Sequence, residues 1–334
     1  MCLITLIMIV LLSKGSKKIL TPAWQRFNVH RMATETLSAL VGPVYFNHHL
    51  RLTHWNQRKR KVLTLMKNLS IVSGLCLRYS YGFQETIKRL HDGALGELRA
   101  LQANDYRGPI WVKPRKPEWT DMEWHMRNWY YFTWLCGDFN VEQHVHFLDV
   151  CAWIMKNEYP ISAVGMGGRQ VRTAPEYGNI YDHHAVTYEY ANGTKLYSNC
   201  RQQTGCRNDM SCHVLGAKGT AEISEQNLTI STGNTWTYAG KKNNIYQTEH
   251  DELFAAIAKG EYKFWDAERG ARSSMTSILG RMATYSGQNV EWDKAINSNI
   301  NIMPTEYAFN ATPPVLPNAD GFYPVPEPGQ TKFF

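Results

Sequence analysis

Hydrophobic and polar positions along the chain form regular patterns only from about residue 68 onward. Alternation of apolar and polar residues predicts strands, and the Asn192-Gly193 pair is typical of a tight turn between two of them. The predicted strands span residues 69–77, 97–106, 163–172, 184–190, 195–202, 221–224 and 228–231. Apolar residues at helical spacing predict helices at 83–90, 123–156, 250–260 and 266–286.

This order of elements predicts an α+β protein with a large, mostly antiparallel sheet flanked by helices. The stretch after residue 303 holds seven of the chain's 14 prolines, which predicts an extended C-terminal arm instead of a packed element. We therefore divide the chain into an atypical basic segment at 1–67, a main domain at 68–302 and the Pro-rich arm at 303–334.

Charge is distributed unevenly along the chain. The formal net charge is +7, yet the first 70 residues hold 11 Lys and Arg against a single acid, Glu35. The rest of the chain is slightly acidic, so binding of nucleic acid by the whole protein is not expected.

The apolar start, residues 1–12, is too short for a membrane span. It would measure about 18 Å as a helix, less than the bilayer core, and its lysines follow the apolar run, whereas a signal peptide has them before it. Membrane association is therefore not expected. The odd total of 7 cysteines favours reduced thiols and a cytoplasmic location, with export or anchoring by residues 1–12 as the alternative.

One segment, residues 137–155, combines acids with histidine on an apolar helix. At 100° per residue, four of its side chains fall within a stripe of about 60°. They are Glu142, His146, Asp149 and Trp153. Buried charges are costly unless they are paired or face a wet cleft. The functional interpretation is His146 as general acid/base with Glu142 orienting it, and the structural alternative is a core histidine satisfied by a carboxylate one turn away.

The same residues are candidates for a metal site. Glu142 and His146 could reach one ion, but His144 lies on the other side of a continuous helix. Three converging ligands are therefore not expected, and no metal is predicted. Nucleotide motifs are also missing, because neither G-x-G-x-x-G nor the P-loop pattern occurs in the sequence.

Several stretches resemble the Gfo/Idh/MocA family of oxidoreductases. Residues 71–97 (IVSGLCLRYSYGFQETIKRLHDGALGE) resemble the last strand of that family's Rossmann domain and the helix after it. The run E-x-x-x-H-x-x-D-x-x-x-W from Glu142 to Trp153 resembles the family's D-x-x-x-H-x-x-D-x-x-x-W helix, with Glu where Asp is usual. HDELFAAIAKGE and LGRMATYSGQNVEWD are similar to its closing helices, and the Pro-rich tail is similar to that of the bacterial multi-paralogue branch.

This resemblance implies a fold and a chemistry. The family joins a Rossmann domain that binds NAD or NADP to a C-terminal α/β domain, whose open antiparallel sheet forms the substrate wall and usually the oligomer interface. Its reaction is hydride transfer at a secondary alcohol, so the implied partners are a small sugar or polyol and further copies of the chain, as a homo-oligomer through the open sheet. Carried over, His146 is the acid/base and Glu142 its partner. The implied substrate-binding residues are Arg78, Tyr106, Trp129, Asn140, Asp149 and Arg201.

The chain also departs from the family pattern. It lacks G-x-G-x-x-G and the family's E-K-P motif, and residues 1–67 are too few and too irregular for several βαβ units. The first hypothesis is therefore an oxidoreductase with only a remnant of the Rossmann domain, largely missing its cofactor half and impaired in activity. The second is a non-catalytic oligomerisation or carbohydrate-binding domain derived from that family. The third is a metal-dependent enzyme that uses Glu142 and His146.

Overall fold

The structure, a computed structural model, describes residues 7–8 and 70–332. The predictions for residues 1–67, including the Rossmann remnant, lie outside the described residues apart from one short strand. That strand, β1 (Ile7–Met8), pairs antiparallel with β2 (Val72–Ser73). None of the described helices is both long and apolar enough to cross a membrane.

A nine-stranded sheet forms the centre of the described domain. Its strands are β3 (Leu98–Arg107), β4 (Ser162–Gly168), β5 (His183–Glu189), β6 (Lys195–Gln202), β7 (Asp209–Gly216), β8 (Gly219–Ser224), β9 (Leu228–Thr232), β10 (Asn234–Thr237) and β11 (Val290–Glu291). Their spatial order is β10-β9-β8-β7-β3-β6-β5-β4-β11, and every neighbouring pair is antiparallel except β3 and β6. The predicted α+β class with a mostly antiparallel open sheet is confirmed.

The described residues also form eight helices, of which the first, fifth and seventh pack against the sheet. They are α1 (Tyr81–His91), α2 (Asp121–Arg127), α3 (Thr133–Cys136), α4 (Phe139–Glu142), α5 (Val145–Ile154), α6 (Ile245–Lys259), α7 (Ala267–Ser286) and α8 (Trp292–Ile296). Leu148 of α5 and Ile278 of α7 are almost completely buried in the core that they share with the sheet. Burial of each such side chain contributes about 1.5–3 kcal/mol to folding.

Side-chain alternation separates the two faces of the sheet. In β5, His184, Val186 and Tyr188 are buried, while the residues between them are partly exposed. On β6 the neighbouring Tyr197 points the other way and is 47% exposed. The inner face therefore packs against α5 and α7, and the outer face carries half-exposed side chains.

The long helix predicted over 123–156 is wrong. The structure divides this segment into α2, a 3-10 helix at Trp129–Tyr131, and the short helices α3, α4 and α5. The main break is at Gly137 and Asp138, which both have positive φ (77° and 74°). Asp138 is held there because its buried carboxylate accepts hydrogen bonds from the backbone N–H groups of Phe139 (2.5 Å) and Tyr181 (2.9 Å). These tertiary contacts outweigh the helical periodicity of the sequence.

Further elements differ from the sequence prediction. The strand expected over 69–77 is reduced to β2, which is followed by a 3-10 helix at Cys76–Tyr79. Strands β7, β10 and β11 were not predicted. In β7 polar Ser211 is buried beside buried Cys212, so the simple two-residue alternation is obscured in the sequence.

The Pro-rich arm has no helix or strand over residues 303–332, as predicted for an extended segment. It is nevertheless packed against the domain, which was not predicted. Tyr323 is only 4% exposed, and its hydroxyl lies 3.0 Å from Nε2 of the buried His125. The hydroxyl of Tyr181 donates to the carbonyl oxygen of Pro326 at 2.7 Å. Aromatic side chains therefore fix a segment that forms no regular backbone hydrogen bonds.

Candidate functional site

The turn between α4 and α5 brings three ionisable side chains together. Glu142 ends α4, His144 is the N-cap of α5 and His146 lies in its first turn. We call these three residues the acid–histidine corner. Three of its buried atoms have no hydrogen-bond partner among the described residues, namely Glu142 Oε2, His144 Nδ1 and His146 Nδ1. Because buried polar atoms are almost always paired in folded proteins, this grouping indicates a site for a polar ligand or for water.

Burial determines the protonation states in the corner. It lowers the pKa of His146 to about 4, although the carboxylate of Asp149 acts in the opposite direction. It lowers the pKa of His144 to about 3 and raises the pKa of Glu142 to about 7. Both imidazoles are therefore uncharged at neutral pH, and Glu142 exchanges its proton in that range.

The predicted pairing of Glu142 with His146 is not formed through their buried atoms. Neither Glu142 Oε2 nor His146 Nδ1 has a partner in the part of the chain that the structure describes. The orienting role of Glu142 therefore stays a prediction. The break before α5 also removes the continuous helix on which His144 was placed at the far side.

An ion pair at the end of β3 lies against the corner. Arg107 donates from Nε to Asp105 Oδ1 at 2.5 Å and from Nη2 to Oδ2 at 2.9 Å. Burial raises the pKa of Asp105 even though Arg107 acts to lower it. His144 Nδ1 is 3.9 Å from Asp105 Oδ2, and its Nε2 is 2.8 Å from the hydroxyl of Ser198. The sheet thus fixes the position of the His144 ring.

Gln202, at the end of β6, connects the corner with neighbouring loops. Its amide donates to the hydroxyl of Tyr130 at 2.7 Å and to Gln143 Oε1 at 3.3 Å. Its Oε1 accepts a hydrogen bond from the buried Arg172. Gln202 lies directly opposite Arg107 in the parallel register of β6 and β3. Sequence analysis missed both residues, because strand pairing brings them together and no motif marks them.

Aromatic side chains flank the same region. Trp129, an implied substrate-binding residue, lies edge to face with Tyr130 and with Trp111, at 5.5 and 5.6 Å between ring centroids. Trp111 is 39% exposed, and the hydroxyl of Tyr131 donates to its carbonyl oxygen at 3.1 Å. A half-exposed aromatic surface of this kind suits the apolar face of a ring-shaped ligand.

Two other implied substrate-binding residues are bound to each other. Arg78 donates to both carboxylate oxygens of Asp149, from Nε at 2.7 Å and from Nη2 at 2.9 Å, and the Ser273 hydroxyl adds a third bond at 2.8 Å. Burial acts to raise the pKa of Asp149, but Arg78 outweighs it and the pKa is lowered. The pair joins the 3-10 helix at Cys76–Tyr79 to α5 and α7. This geometry shows a structural ion pair, and contact of either residue with substrate stays a prediction.

Asn140 is buried between α4 and α7. Its amide donates to the carbonyl oxygen of Ser277 at 2.8 Å, and its Oδ1 is 3.4 Å from Cys200 Sγ. Its two polar atoms are therefore occupied within the protein.

Tyr106 and Arg201 form a pair of their own. They are register partners on β3 and β6, and the guanidinium lies 4.8 Å from the ring centroid. Because Asp105 faces the helices, strand alternation places Tyr106 on the outer face of the sheet. A substrate in the corner would reach this pair only around the sheet edge.

The described residues contain no evident binding site for a metal ion or a dinucleotide. Within residues 70–332, no three His, Cys, Asp or Glu side chains are grouped as metal ligands. The same part of the chain does not form a dinucleotide cradle, because the two-residue β2 leads into a 3-10 helix instead of a glycine-rich turn and a long helix. We assign no described residue to NAD or NADP.

Comparisons with known proteins agree with this architecture. The family model for the GFO/IDH/MocA C-terminal domain matches residues 83–222. No curated protein matches the chain. The fold is similar to that of the aldose-aldose oxidoreductase from Caulobacter crescentus complexed with glycerol, with a TM-score of 0.55 and 18% identity over 71% of this chain and 67% of that one.

Two further solved structures have the same fold. Levoglucosan dehydrogenase in complex with NADH and L-sorbose gives a TM-score of 0.55 at 12% identity, covering 70% of this chain and 69% of that one. Myo-inositol 2-dehydrogenase from Lactobacillus plantarum gives a TM-score of 0.51 at 14% identity, covering 72% and 70%. The residues that match the family model include the acid–histidine corner and strands β3 to β7. Residues 83–222 are therefore similar to the C-terminal domain of the GFO/IDH/MocA family, and the described domain shares the fold of these solved oxidoreductases.

Proposed function

We propose that this chain is an NAD(P)-dependent oxidoreductase that acts on a secondary alcohol of a sugar or polyol, with His146 as its acid/base. The acid–histidine corner supports the proposal most. At the histidine of the family-like motif it holds a neutral buried imidazole, whose Nδ1 has no partner within residues 70–332. The names of two structural relatives, complexes with glycerol and with L-sorbose, are consistent with a polyhydroxylated substrate.

The proposed proton transfer follows from the environment of His146. Oxidation of a secondary alcohol removes the hydroxyl proton and a hydride from the carbon, so it needs a base within hydrogen-bond reach. His146 is uncharged at neutral pH and can take the proton at Nδ1. Glu142, with a pKa of about 7, can receive a proton in the same pH range.

The redox half of the reaction is proposed to be impaired. NAD(P) supplies the hydride acceptor in this chemistry, but the sequence has no G-x-G-x-x-G motif and the described residues form no cradle for it. We therefore expect the chain to bind a polyol more readily than a dinucleotide.

Two fluorescence titrations test these statements. One uses NADH and NADPH, and the other uses glycerol, L-sorbose and myo-inositol. We expect saturable polyol binding that His146→Ala weakens by about tenfold, as loss of one hydrogen bond would, while His250→Ala on α6 leaves it unchanged. Tight NADH binding would show that the redox half of the reaction is not impaired. A chain that binds none of the five compounds would contradict the proposal.

Non-catalytic oligomerisation through the open sheet is the second candidate function. The outer face exposes apolar side chains of β4, β6 and β7. They are Val164, Met166, Tyr197 and Leu215, between 47% and 75% exposed. Exposed apolar surface of this kind often marks an interface.

Light scattering after size-exclusion chromatography tests this second function. We expect an oligomer that Tyr197→Glu converts to a monomer with unchanged circular dichroism, because a carboxylate cannot be buried in an apolar interface. Tyr307→Glu, on the arm and 66% exposed, is the matched control. A wild-type monomer at micromolar concentration would contradict the interface.

A further inference from the structure

A cavity of about 940 Å³ lies at the end of α5 opposite the acid–histidine corner. The segment after α5 and the starts of α7 and α8 line it. Asn157 on its wall lies beyond the end of α5, and the stretch from His146 to Asn157 spans roughly 15 Å at 1.5 Å per helical residue. The cavity shares no residue with the corner.

Three aromatic side chains, Tyr159, Trp265 and Trp292, line this cavity. Each is partly exposed. The rings of Tyr159 and Trp292 are 6.0 Å apart between centroids. The guanidinium of Arg272 lies 5.4 Å from the ring centroid of Tyr159, so one of these faces already holds a cation.

The lining carries excess negative charge, with five carboxylates against two guanidinium groups. Both guanidinium groups are already paired, Arg269 with Asp266 at 2.5 Å and Arg272 with Glu268 at 3.3 Å. Glu158 and Asp293 have no ion pair among residues 70–332. The cavity therefore offers aromatic faces together with unneutralised carboxylates.

A buried acid next to the cavity lining adds to this excess of negative charge. Glu249 is 4% exposed, and its Oε1 has no hydrogen-bond partner in the part of the chain that the structure describes. Burial, assisted by the charge of Asp266, raises the pKa of Glu249 to about 7. Burial also raises the pKa of Asp266, although Arg269 acts to lower it. Arg269, which is paired with Asp266, does not offset the burial of these two carboxylates, and a bound cation would add positive charge near them.

We propose that this cavity binds a small organic cation, with an alkylammonium group seated among Tyr159, Trp265 and Trp292. The ring faces attract the cation, and Glu158 and Asp293 balance its charge. The site is independent of the proposed oxidoreductase function, since it uses other residues at the other end of α5.

Titration calorimetry with choline and with its uncharged isostere 3,3-dimethylbutan-1-ol tests the site. We expect choline to saturate and the isostere to bind about tenfold more weakly or not at all, because only choline gains the cation–π and Coulomb attraction. Trp265→Leu and Trp292→Leu should each weaken choline binding about threefold to thirtyfold. Trp236→Leu, a partly exposed tryptophan on β10, should leave it unchanged.

Charge variants and a rescue variant complete the experiment. The pair Glu158→Gln and Asp293→Asn should weaken choline binding, whereas Glu97→Gln, an exposed acid before β3, should not. Trp292→Tyr keeps an aromatic face and should retain most of the affinity, which separates lost binding from lost folding. Equal affinity for choline and its isostere, or no saturation below about 100 mM choline, would overturn the proposal.

Discussion

Glu249 is a buried acid whose ionisation opposes folding. Its pKa in the folded protein is raised to about 7 by burial, whereas an unfolded chain has a glutamate pKa of about 4.3. The folded state therefore holds the proton more tightly. The stability associated with this group is fully present below about pH 4.3 and is lost as the pH rises through about 7.

Glu249→Gln should remove this pH dependence. We expect the variant to be more stable than wild type by about 2 kcal/mol at pH 8 and nearly equal at pH 4.5, as measured by urea unfolding at both pH values. Asp251→Asn, at an exposed acid on the same helix, is the control. It should hardly change the difference in stability between pH 4.5 and pH 8. Equal free energies of unfolding for wild type and Glu249→Gln at both pH values would show that burial does not raise the pKa of Glu249.

At the scale of the element, the sequence predicted those helices and strands that the local spacing of apolar residues determines. Strand 195–202 and helix 266–286 agree with β6 and α7 almost to the residue. In β6 the buried residues alternate at the period of a strand, which the sequence pattern shows directly. The motif also singled out Glu142 and His146, and their catalytic roles stay a prediction. The segment 123–156 failed because contacts from distant parts of the chain break its helix, and Arg107 and Gln202 were missed because strand register brings them together.

Asp138 holds this break in place, and its removal should show how strongly. Besides the backbone N–H groups of Phe139 and Tyr181, its carboxylate accepts from the hydroxyl of Tyr285 and lies 3.3 Å from His184 Nε2. Asp138→Gly would relax the positive φ yet leave these donors unpaired, so we expect a loss of about 3–5 kcal/mol in chemical unfolding.

Lys156 provides a matched control for the effect of relaxing a positive φ alone. It also has a positive φ, 56°, but its side chain is exposed. Lys156→Gly should therefore be neutral or stabilising by up to about 1 kcal/mol. If Asp138→Gly were equally harmless, the buried carboxylate would not be what shapes the turn before α4, and the placement of the acid–histidine corner would need another cause.

For the whole molecule, the Pro-rich arm joins parts of the chain that are far apart in sequence. Tyr323 packs with Trp124 and Phe132, at 6.0 and 5.0 Å between ring centroids, and Gly329 N donates to the carbonyl oxygen of Ser286 at 2.8 Å. The arm thereby covers the segment that leads from α2 to the corner. Its attachment depends on side chains, so a single aromatic truncation should release it.

Tyr323→Ala should cost about 3–5 kcal/mol in chemical unfolding, the usual loss for truncating a buried aromatic ring, and should expose the arm to limited proteolysis after residue 303. Tyr323→Phe removes only the contact with His125 and should cost about 1 kcal/mol with the arm still protected. Phe322→Ala, at a neighbouring ring that is 44% exposed, is the control. Equal effects of Tyr323→Ala and Phe322→Ala would mean that the arm is not held by its buried tyrosine. The predicted order, with Ala far more damaging than Phe, follows because the ring supplies most of the buried area and the hydroxyl only one hydrogen bond.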